Sequence, residues 1–393
     1  MQKEKETKRN IRLVMLETII TAGMLAMAIM TPFFLSIGLN QEEIALTQMI
    51  FTVVVMILNI PLGWVADRFS RKWANIIGDL ICAVTLLCYS QVQSFWQVVA
   101  CETVLGIGMA FSQGVDSSLL KHFCDKEDRS GVFFKRKFAS MAMWSQIATL
   151  LIMLLGSPIG AISFRLAIGL SSVPLFVGAI LSFFVKDDSP RIAKSEKGAL
   201  RQMVGIIGES VRKPQLRKRI FAYAVAREST HGIIWVFTPL MLAVGIPMSI
   251  VSLGWGVNYI AAAASAYIAK KHSAKLKDWQ NFIIPILLVS SASLVLFLHL
   301  DVITVWLYAL FGMAQGWTSA TAMPMVKENT KAEEQASVES FARVCSQLLY
   351  IGAVWIINRA ADVDIRYALL ATVLIFLPIA IPVAISLNKK APK

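Results

Sequence analysis

Long uncharged stretches, separated by short polar segments, dominate the pattern of residues along this chain. A helix needs about 20 mostly apolar residues to cross the hydrocarbon core of a bilayer. A β-barrel would instead need short segments of alternating polarity, and the sequence lacks them. The pattern therefore predicts an all-α polytopic membrane protein. Its twelve predicted transmembrane helices lie at 11–37, 44–67, 73–93, 95–120, 137–157, 164–185, 219–243, 249–269, 280–299, 302–325, 338–358 and 365–387.

Basic residues lie almost entirely on one side of the predicted spans. The chain has 38 Lys and Arg against 25 Asp and Glu, which gives a net charge of +13 at pH 7. When the loops are assigned alternately to two sides, 33 of the 38 bases fall on the side that holds both termini. Cytoplasmic loops of membrane proteins are enriched in Lys and Arg. We therefore expect a multi-pass protein of the plasma or inner membrane with both termini in the cytoplasm. The charge needs no nucleic-acid partner to explain it.

The composition excludes several other classes of protein. Hydrophobic residues make up 56% of the chain and charged residues only 16%, whereas soluble domains carry about 25% charged residues. The five cysteines show no CxxC or other metal-binding spacing. The sequence also has no Walker lysine loop, GxSxG or HExxH motif. We therefore expect neither an enzyme nor an ATP-driven pump, and we expect no cofactor and no metal.

The middle of the chain divides it into two similar parts. The longest polar stretch, 186–218, is basic and predicts a cytoplasmic linker between an N-terminal six-helix bundle (1–185) and a C-terminal one (219–393). TPFFLSIGL at 31–39 aligns with TPLMLAVGI at 238–246, an offset of 207 residues. These observations together predict two parallel six-helix repeats, related by an axis along the membrane normal.

A polar loop, GWVADRFSRK at 63–72, joins the second and third predicted spans. Gly63 and Asp67 are four residues apart and therefore share one helix face. Glycine there allows another helix to approach closely, and Asp67 is an anion suited to a helix N-terminus. The simpler interpretation is a charged turn whose bases only fix the topology.

The polar loop resembles the signature of the major facilitator superfamily, Gly-x-x-x-Asp-Arg-x-Gly-Arg-Arg/Lys. The matching residues are Gly63, Asp67, Arg68, Arg71 and Lys72. The number of spans, the position of the loop, the linker and the repeat fit the same family, so the resemblance covers nearly the whole chain. It implies twelve transmembrane helices in two pseudo-symmetric six-helix bundles, and transport by alternating access.

The resemblance also implies that this loop is a conformational latch. Asp67 would face the start of span eleven, and Arg71 would pair with an acid near the end of span four, for which Asp116 is the candidate. Ser70 stands where the family has a glycine in a turn with positive φ. A non-glycine residue in such a conformation costs on the order of 1 kcal/mol, so we expect strain at Ser70.

Span seven carries a charged cluster, Arg227, Glu228 and His231. Ionisable residues inside a span are costly and mark functional sites by default. His231 lies within one helical turn of both other residues, so each can meet it on the helix. Arg227 and Glu228 point about 100° apart, as adjacent helical residues do, which predicts that the partner of Arg227 lies on another helix. The alternative to substrate or proton handling is a structural charge pair.

Further charged residues lie within the predicted spans. Glu17 is predicted to bind a proton or a cationic substrate. The alternative is that its side chain extends to the membrane–water interface and has no functional role. Glu102 begins an E-x-x-x-G pattern where drug exporters of the family resembled often have R-x-x-x-G, which weakens the case for a standard drug/proton antiporter. Arg343 is predicted to pair with Glu339, four residues earlier. Asp79 is interpreted as a packing contact between helices.

Together these features predict a proton-coupled secondary transporter that exports an organic metabolite or a drug-like amphiphile. The predicted proton and substrate cavity holds Glu17, Glu102, Arg227, Glu228, His231 and Arg343. The alternatives are uptake of a small polar nutrient, flipping of a lysolipid, or a membrane sensor that transports nothing. The expected partners are a small-molecule substrate, protons and the lipid bilayer, and the expected state is a monomer.

Overall fold

The computed structural model describes residues 2–68, 70–113, 115–128, 132–187, 212–327 and 335–389. The regular secondary structure of this described part is helical throughout. The chain divides into two compact units, residues 1–39 with 46–194 and residues 40–45 with 195–393. The division falls inside the predicted linker 186–218. Residues 188–211 of that linker lie outside the described residues, so the linker stays a prediction.

The described part of the first unit contains nine helices. The third of them, α3, begins within residues 40–45, which group with the second unit. Helix α1 packs against α6, α7 and α9, and α4 packs against α5, α6 and α9. The helices are α1 (Gln2–Thr21), α2 (Met30–Ser36), α3 (Gln41–Arg68), α4 (Arg71–Tyr89), α5 (Phe95–Ser112), α6 (Val115–Glu127), α7 (Val132–Ile162), α8 (Phe164–Leu170) and α9 (Ser172–Phe183), with a 3₁₀ turn at Leu25–Ala28.

The second unit contains seven described helices. Helix α12 packs most extensively against α14, while α13 packs against α16, and α10 lies against α14 and α15. The helices are α10 (Pro214–His231), α11 (Ile234–Ala243), α12 (Val251–His272), α13 (Asp278–Leu298), α14 (Ala309–Lys327), α15 (Gln335–Val363) and α16 (Ile365–Asn388), with 3₁₀ turns at Met248–Ile250, Ser273–Lys275 and Thr304–Tyr308.

Nine helical segments of the described chain are long and apolar enough to cross a membrane. They correspond to nine of the twelve predicted spans. The other three predicted spans, 219–243, 249–269 and 302–325, are less apolar for identifiable reasons. The first is divided between α10 and α11 and carries charges. The other two contain α12 and α14, which are rich in Gly, Ala, Ser and Thr, residues that favour close packing between membrane helices.

The two copies of the internal repeat end in the same backbone turn. Gly38 and Gly245, which align at the offset of 207, are the two glycines with positive φ among the described residues, at 90° and 84°. Each donates its N–H to the carbonyl three residues earlier, at 3.1 and 3.0 Å. The next residue in each copy, Leu39 or Ile246, donates to the carbonyl five residues earlier, at 3.1 Å in both. Glycine tolerates this conformation without steric cost, which explains why it occurs at this position in both copies.

Ser70 does not adopt the strained turn that the resemblance predicted. Its φ is −176° and its ψ is 126°, an extended conformation open to any residue. Ser70 is the N-cap of α4, where its hydroxyl accepts a hydrogen bond from the N–H of Trp73 at 3.3 Å. The hydroxyl donates to the carboxylate of Asp187 at 2.9 Å. The expected strain was wrong, because capping requires extended backbone at this residue.

Candidate functional site

Three acidic side chains meet inside the first unit, contributed by α1, α4 and α6. Glu17 lies on α1, Asp79 on α4 and Asp116 on the first turn of α6. They approach one another because α1 packs against α6 and α4 contacts α6 as well. We refer to Glu17, Asp79, Asp116 and the neighbouring Asn75 as the acidic cluster.

Glu17, Asp79 and Asn75 of the acidic cluster are buried, and Asp116 is partly buried. Glu17 is 1% exposed and Asp79 is 4% exposed. The Glu17 carboxyl interacts with those of Asp79 and Asp116 and with the amide of Asn75. Hydroxyls on its own helix also approach it, with the Oγ1 atoms of Thr18 and Thr21 at 3.3 and 3.5 Å. Glu17 therefore does not reach back to the interface, which was the alternative to a functional role.

Several polar atoms of the acidic cluster have no hydrogen-bond partner. Asp79 Oδ2, Asp116 Oδ1 and Asn75 Oδ1 are all buried and unsatisfied, although the Asn75 amide nitrogen donates to Ser182 Oγ at 3.2 Å. Buried oxygens without partners are costly, so they mark a place where a proton or a ligand can add bonds. No group of three or more His, Cys, Asp or Glu side chains within the described residues has an arrangement that could hold a metal ion.

A glycine on α9 makes room for the acidic cluster. A Cβ atom added to Gly178 would overlap the side chain of Thr21 and lie 3.1 Å from Asp79 Oδ2 and 3.6 Å from Glu17 Oε1. Any larger residue would therefore displace Thr21 and press on the carboxyl of Asp79. The absence of a side chain on α9 lets the acids come together.

The structure places Asp116 differently from the latch hypothesis. Its carboxyl interacts with Glu17 and Asn75, and within the described residues it forms no ion pair with Arg71. The predicted Arg71–Asp116 pair is therefore wrong here, because Asp116 lies on the first turn of α6 against α1.

Lys72, another residue of the polar loop, donates from Nζ to the carbonyl of Phe183 at 2.5 Å and from its backbone N–H to Asp187 at 3.3 Å. The side chains of the remaining latch residues, Gly63, Asp67 and Arg68, lie outside the described part of the structure.

Glu102 is also buried, at 3% exposure, but it is well satisfied. Its Oε1 accepts hydrogen bonds from Gln48 Nε2 at 2.6 Å and from the hydroxyl of Tyr89 at 2.9 Å. Gly106, which follows at i+4, lies against Val54 of α3. Glu102 therefore ties α5 to α3 and α4 through hydrogen bonds, separately from the acidic cluster.

The second unit contains a different arrangement on α10, around Arg227. Arg227 Nη1 donates to the hydroxyl of Tyr223 at 2.9 Å, and its Nε lies 3.5 Å from Glu228 Oε1. Glu228 is 3% exposed and accepts a short hydrogen bond from Ser346 of α15. The prediction that Arg227 needs a partner on another helix was wrong, because its long side chain reaches both Tyr223 and Glu228 on α10. We refer to Tyr223, Arg227, Glu228 and Ser346 as the arginine cluster.

His231 and Arg343 lie beside or beyond the arginine cluster. His231 Nδ1 contacts the backbone carbonyl of Arg227 at 3.0 Å, so these two residues meet through the main chain. Arg343 donates to Glu339 at 2.7 Å, which confirms that predicted pair, and Glu339 also binds Lys327 at 2.5 Å. Arg343 is thus held in an ion-pair network near the start of α15.

Sequence reasoning missed the partners that complete each cluster. The sequence predicts only a packing role for Asp79 and no role for Asn75, which lies one turn before it on α4. A spacing of four residues on one helix signals a shared face. The same spacing relates Tyr223 to Arg227, whereas Ser346 is 118 residues from its partner Glu228 and has no local signal.

Comparisons with known proteins give the fold a context. Residues 14–354 match the family model described as Major Facilitator Superfamily. The solved structure of a nucleoside transporter, NupG, is 12% identical, with a TM-score of 0.78 over 98% of this chain and 100% of that one. A bacterial homolog of the human lysosomal transporter Spinster, in an inward-facing and unoccupied conformation, is 14% identical. Its TM-score is 0.77 over 99% of this chain and 98% of that one. No curated protein matches the sequence. The matches confirm the predicted all-α fold of twelve transmembrane helices in two six-helix bundles.

Proposed function

The chain belongs to the Major Facilitator Superfamily, and from this premise we propose that it is a secondary transporter driven by protons that bind in the acidic cluster. The family and the fold support transport of a small molecule by alternating access. They point to a transporter rather than an enzyme. Proton coupling is the finer claim, and it depends on this chain's own residues.

The observation that carries the proposal is the burial of three carboxyls against one another. Glu17, Asp79 and Asp116 interact directly, and the side-chain partners of the last two are other carboxyls and Asn75. Burial disfavours an ionised carboxylate, and a second negative charge nearby disfavours it further. We therefore infer that the three groups are not all ionised together and that the cluster holds protons in this conformation. A conformational change that exposes it to water would release them.

For the cargo, we propose an organic metabolite or a drug-like amphiphile that leaves the cell in exchange for protons. A cluster of acids in an apolar bundle suits an exchange in which proton entry drives export. Uptake of a small polar nutrient and flipping of a lysolipid are the alternatives. The nucleoside transporter NupG and the Spinster homolog share the fold at 12% and 14% identity, and this likeness concerns the fold alone.

We also propose roles for the segments around the two bundles. The polar loop, with Gly63, Asp67, Arg68, Arg71 and Lys72, would act as a cytoplasmic latch, on the strength of its motif. Residues 186–218 would link the two bundles in the cytoplasm. The bias of basic residues supports cytoplasmic termini, in a monomer of the plasma or inner membrane.

Proton coupling can be tested in proteoliposomes that contain the full chain and an internal pH dye. Pooled metabolites are added without a membrane potential, and the dye reports proton movement. We expect proton flux with the wild type and at least a tenfold loss in Glu17→Gln and in Asp116→Asn. Glu4→Gln is the matched control, because Glu4 is an exposed acid on the same helix and, among the described residues, pairs only with Lys8. Unchanged flux in both cluster variants would refute the proposal.

The direction of transport needs a separate experiment. Inside-out and right-side-out vesicles with opposite pH gradients are incubated with the cargo identified in the first assay. Export predicts accumulation in inside-out vesicles whose interior is acidic. Accumulation only in right-side-out vesicles would show uptake instead, and it would leave proton coupling intact.

A further inference from the structure

Arg227 is a charged side chain within the seventh span. At 1.5 Å per residue it lies about 12 Å along the helix from Arg219, which pairs with Asp278 at 2.6 Å. Its own side chain is 32% exposed. A guanidinium exposed at that depth is tolerated where it meets water or a polar ligand, not hydrocarbon. Its depth and exposure therefore favour a position that faces water or a polar ligand rather than lipid.

The guanidinium is held in place on two of its three nitrogens. Tyr223 accepts from Nη1 at 2.9 Å, and Glu228 lies 3.5 Å from Nε. Nη2 has no partner among the described residues. Glu228 is fixed in turn by Ser346 of the neighbouring helix α15. The result is a planar donor group with a fixed orientation and one nitrogen still available, which favours tight binding because little freedom is lost on association.

The exposed charge of the arginine cluster is positive. Glu228 is buried at 3% exposure and already has two partners, so its carboxylate is not presented to a ligand. Arg227 is the charge that a ligand would meet. A guanidinium repels a cationic group and binds carboxylates and phosphates with charge-assisted, planar hydrogen bonds.

We propose that Arg227 binds an anionic group of the transported molecule, a carboxylate or a phosphate, through its free Nη2 edge. This inference rests on the proposed transport function and names the chemical class of its substrate. Tyr223 and Glu228 act as positioning residues that orient the guanidinium. The cargo is then an organic anion or a zwitterion rather than a simple cation.

Four small probes with the same ring test the charge preference. The detergent-purified full chain is heated with phenyl phosphate, benzoate, benzylamine or benzyl alcohol, and the unfolding midpoint is followed against probe concentration. We expect stabilisation by the two anions and none by the amine or the alcohol. Stabilisation by benzylamine alone, or by none of the probes, overturns the proposal.

Substitutions place the anion at Arg227. Arg227→Gln should raise the apparent Kd for phenyl phosphate at least tenfold. Arg227→Lys, which keeps the charge without the planar fork, should bind with intermediate affinity. Arg366→Gln is the matched control, because it removes an exposed arginine that pairs with Asp364 at an outer turn. Equal affinity in wild type and both Arg227 variants overturns the proposal, and size-exclusion profiles establish that each variant is folded.

Glu228→Gln should change the affinity for phenyl phosphate in the opposite direction to the Arg227 substitutions. Removing the carboxylate removes repulsion of the anion and keeps a hydrogen-bonding group, so phenyl phosphate should bind several-fold more tightly. Unchanged binding in this folded variant would show that the anion does not lie beside the Arg227–Glu228 pair, and it would overturn the proposal. These assays use no pH gradient, so their failure can be told apart from a failure of proton coupling in the Glu17 and Asp116 variants.

Discussion

The acidic cluster and the arginine cluster lie in corresponding halves of a repeat yet have opposite chemistry. At the offset of 207 residues, Glu17 corresponds to Ala224 in the second copy. Arg227 and Glu228 correspond to Ile20 and Thr21 in the first copy. The shared turn at the end of the repeat shows that the backbone has been kept while the charged residues have not.

The two clusters also differ in how their buried charges are compensated. In the second unit, Glu228 lies beside Arg227, so a positive and a negative charge compensate each other. In the first unit, the partners of Asp79 and Asp116 are acids and an amide, so compensation requires protons. Under the proposed proton coupling, the acidic cluster would be the part of the molecule that gains and loses protons during transport.

The largest effect is expected on the number of protons moved per cargo molecule, when a substitution of Asp116 in the acidic cluster is compared with one of Glu228 in the arginine cluster. Asp116→Asn should lower the number of protons moved per cargo molecule, because one carboxyl of the acidic cluster no longer titrates. Glu228→Gln should change the affinity for cargo and leave that ratio unchanged. The ratio is measured from parallel dye and radiotracer fluxes in proteoliposomes. A lowered ratio in Glu228→Gln and not in Asp116→Asn would reverse the assignment of roles.

A second effect concerns the space in which the acids meet. Gly178→Ala should overpack the acidic cluster and destabilise the protein by about 1–3 kcal/mol, with a lower thermal midpoint and weaker proton flux. Gly352→Ala is the control, since a Cβ added to this helical glycine of α15 meets nothing within 4 Å. It should be neutral or stabilise by about 0.4–1 kcal/mol. Equal midpoints in the two variants would mean that the cluster is loosely packed.

A smaller effect is expected at the start of α4. Ser70→Ala removes both a helix cap and the hydrogen bond to Asp187. Ser163→Ala removes only a cap, because Ser163 accepts from Leu166 N at the start of α8. Each lost cap costs about 1 kcal/mol, and the bond to Asp187 should add about 1 kcal/mol for Ser70. A higher thermal midpoint in Ser70→Gly than in wild type would restore the prediction that this position prefers glycine.

The smallest effects are expected at acids outside the membrane. The backbone N–H groups of Thr304 and Ile303 lower the pKa of Asp301, and hydrogen bonds from the Arg366 side chain and backbone lower that of Asp364. A lowered pKa stabilises the folded state above the unfolded pKa, and this contribution is lost as the pH falls through the folded value. Asp301→Asn should therefore lower the thermal midpoint slightly at pH 7, and the difference from wild type should vanish in acid. A difference that grows in acid would contradict this sign.

The sequence predicted the membrane class, the fold and the repeat because these depend on runs of apolar residues and on charge asymmetry. It also identified Glu17 and Arg227 as intramembrane charges. It did not predict that Asp79 and Asp116 lie beside Glu17, because these residues are brought together by the packing of α1, α4 and α6. The backbone conformation of Ser70 was missed for a related reason, since a cap and a tight turn can occupy the same position in a motif.

The central claim is that the acidic cluster holds protons, and infrared spectroscopy can test it without a known cargo. Protonated and ionised carboxyls absorb infrared light at different frequencies, so a protonated carboxyl gives a separate band. The purified protein is measured in detergent at neutral pH, and substitutions show which residues contribute to that band. We predict a protonated carboxyl band that weakens in Glu17→Gln, Asp79→Asn and Asp116→Asn and is unchanged in Glu4→Gln. A band of the same intensity in wild type and in a variant that combines all three cluster substitutions would contradict the account.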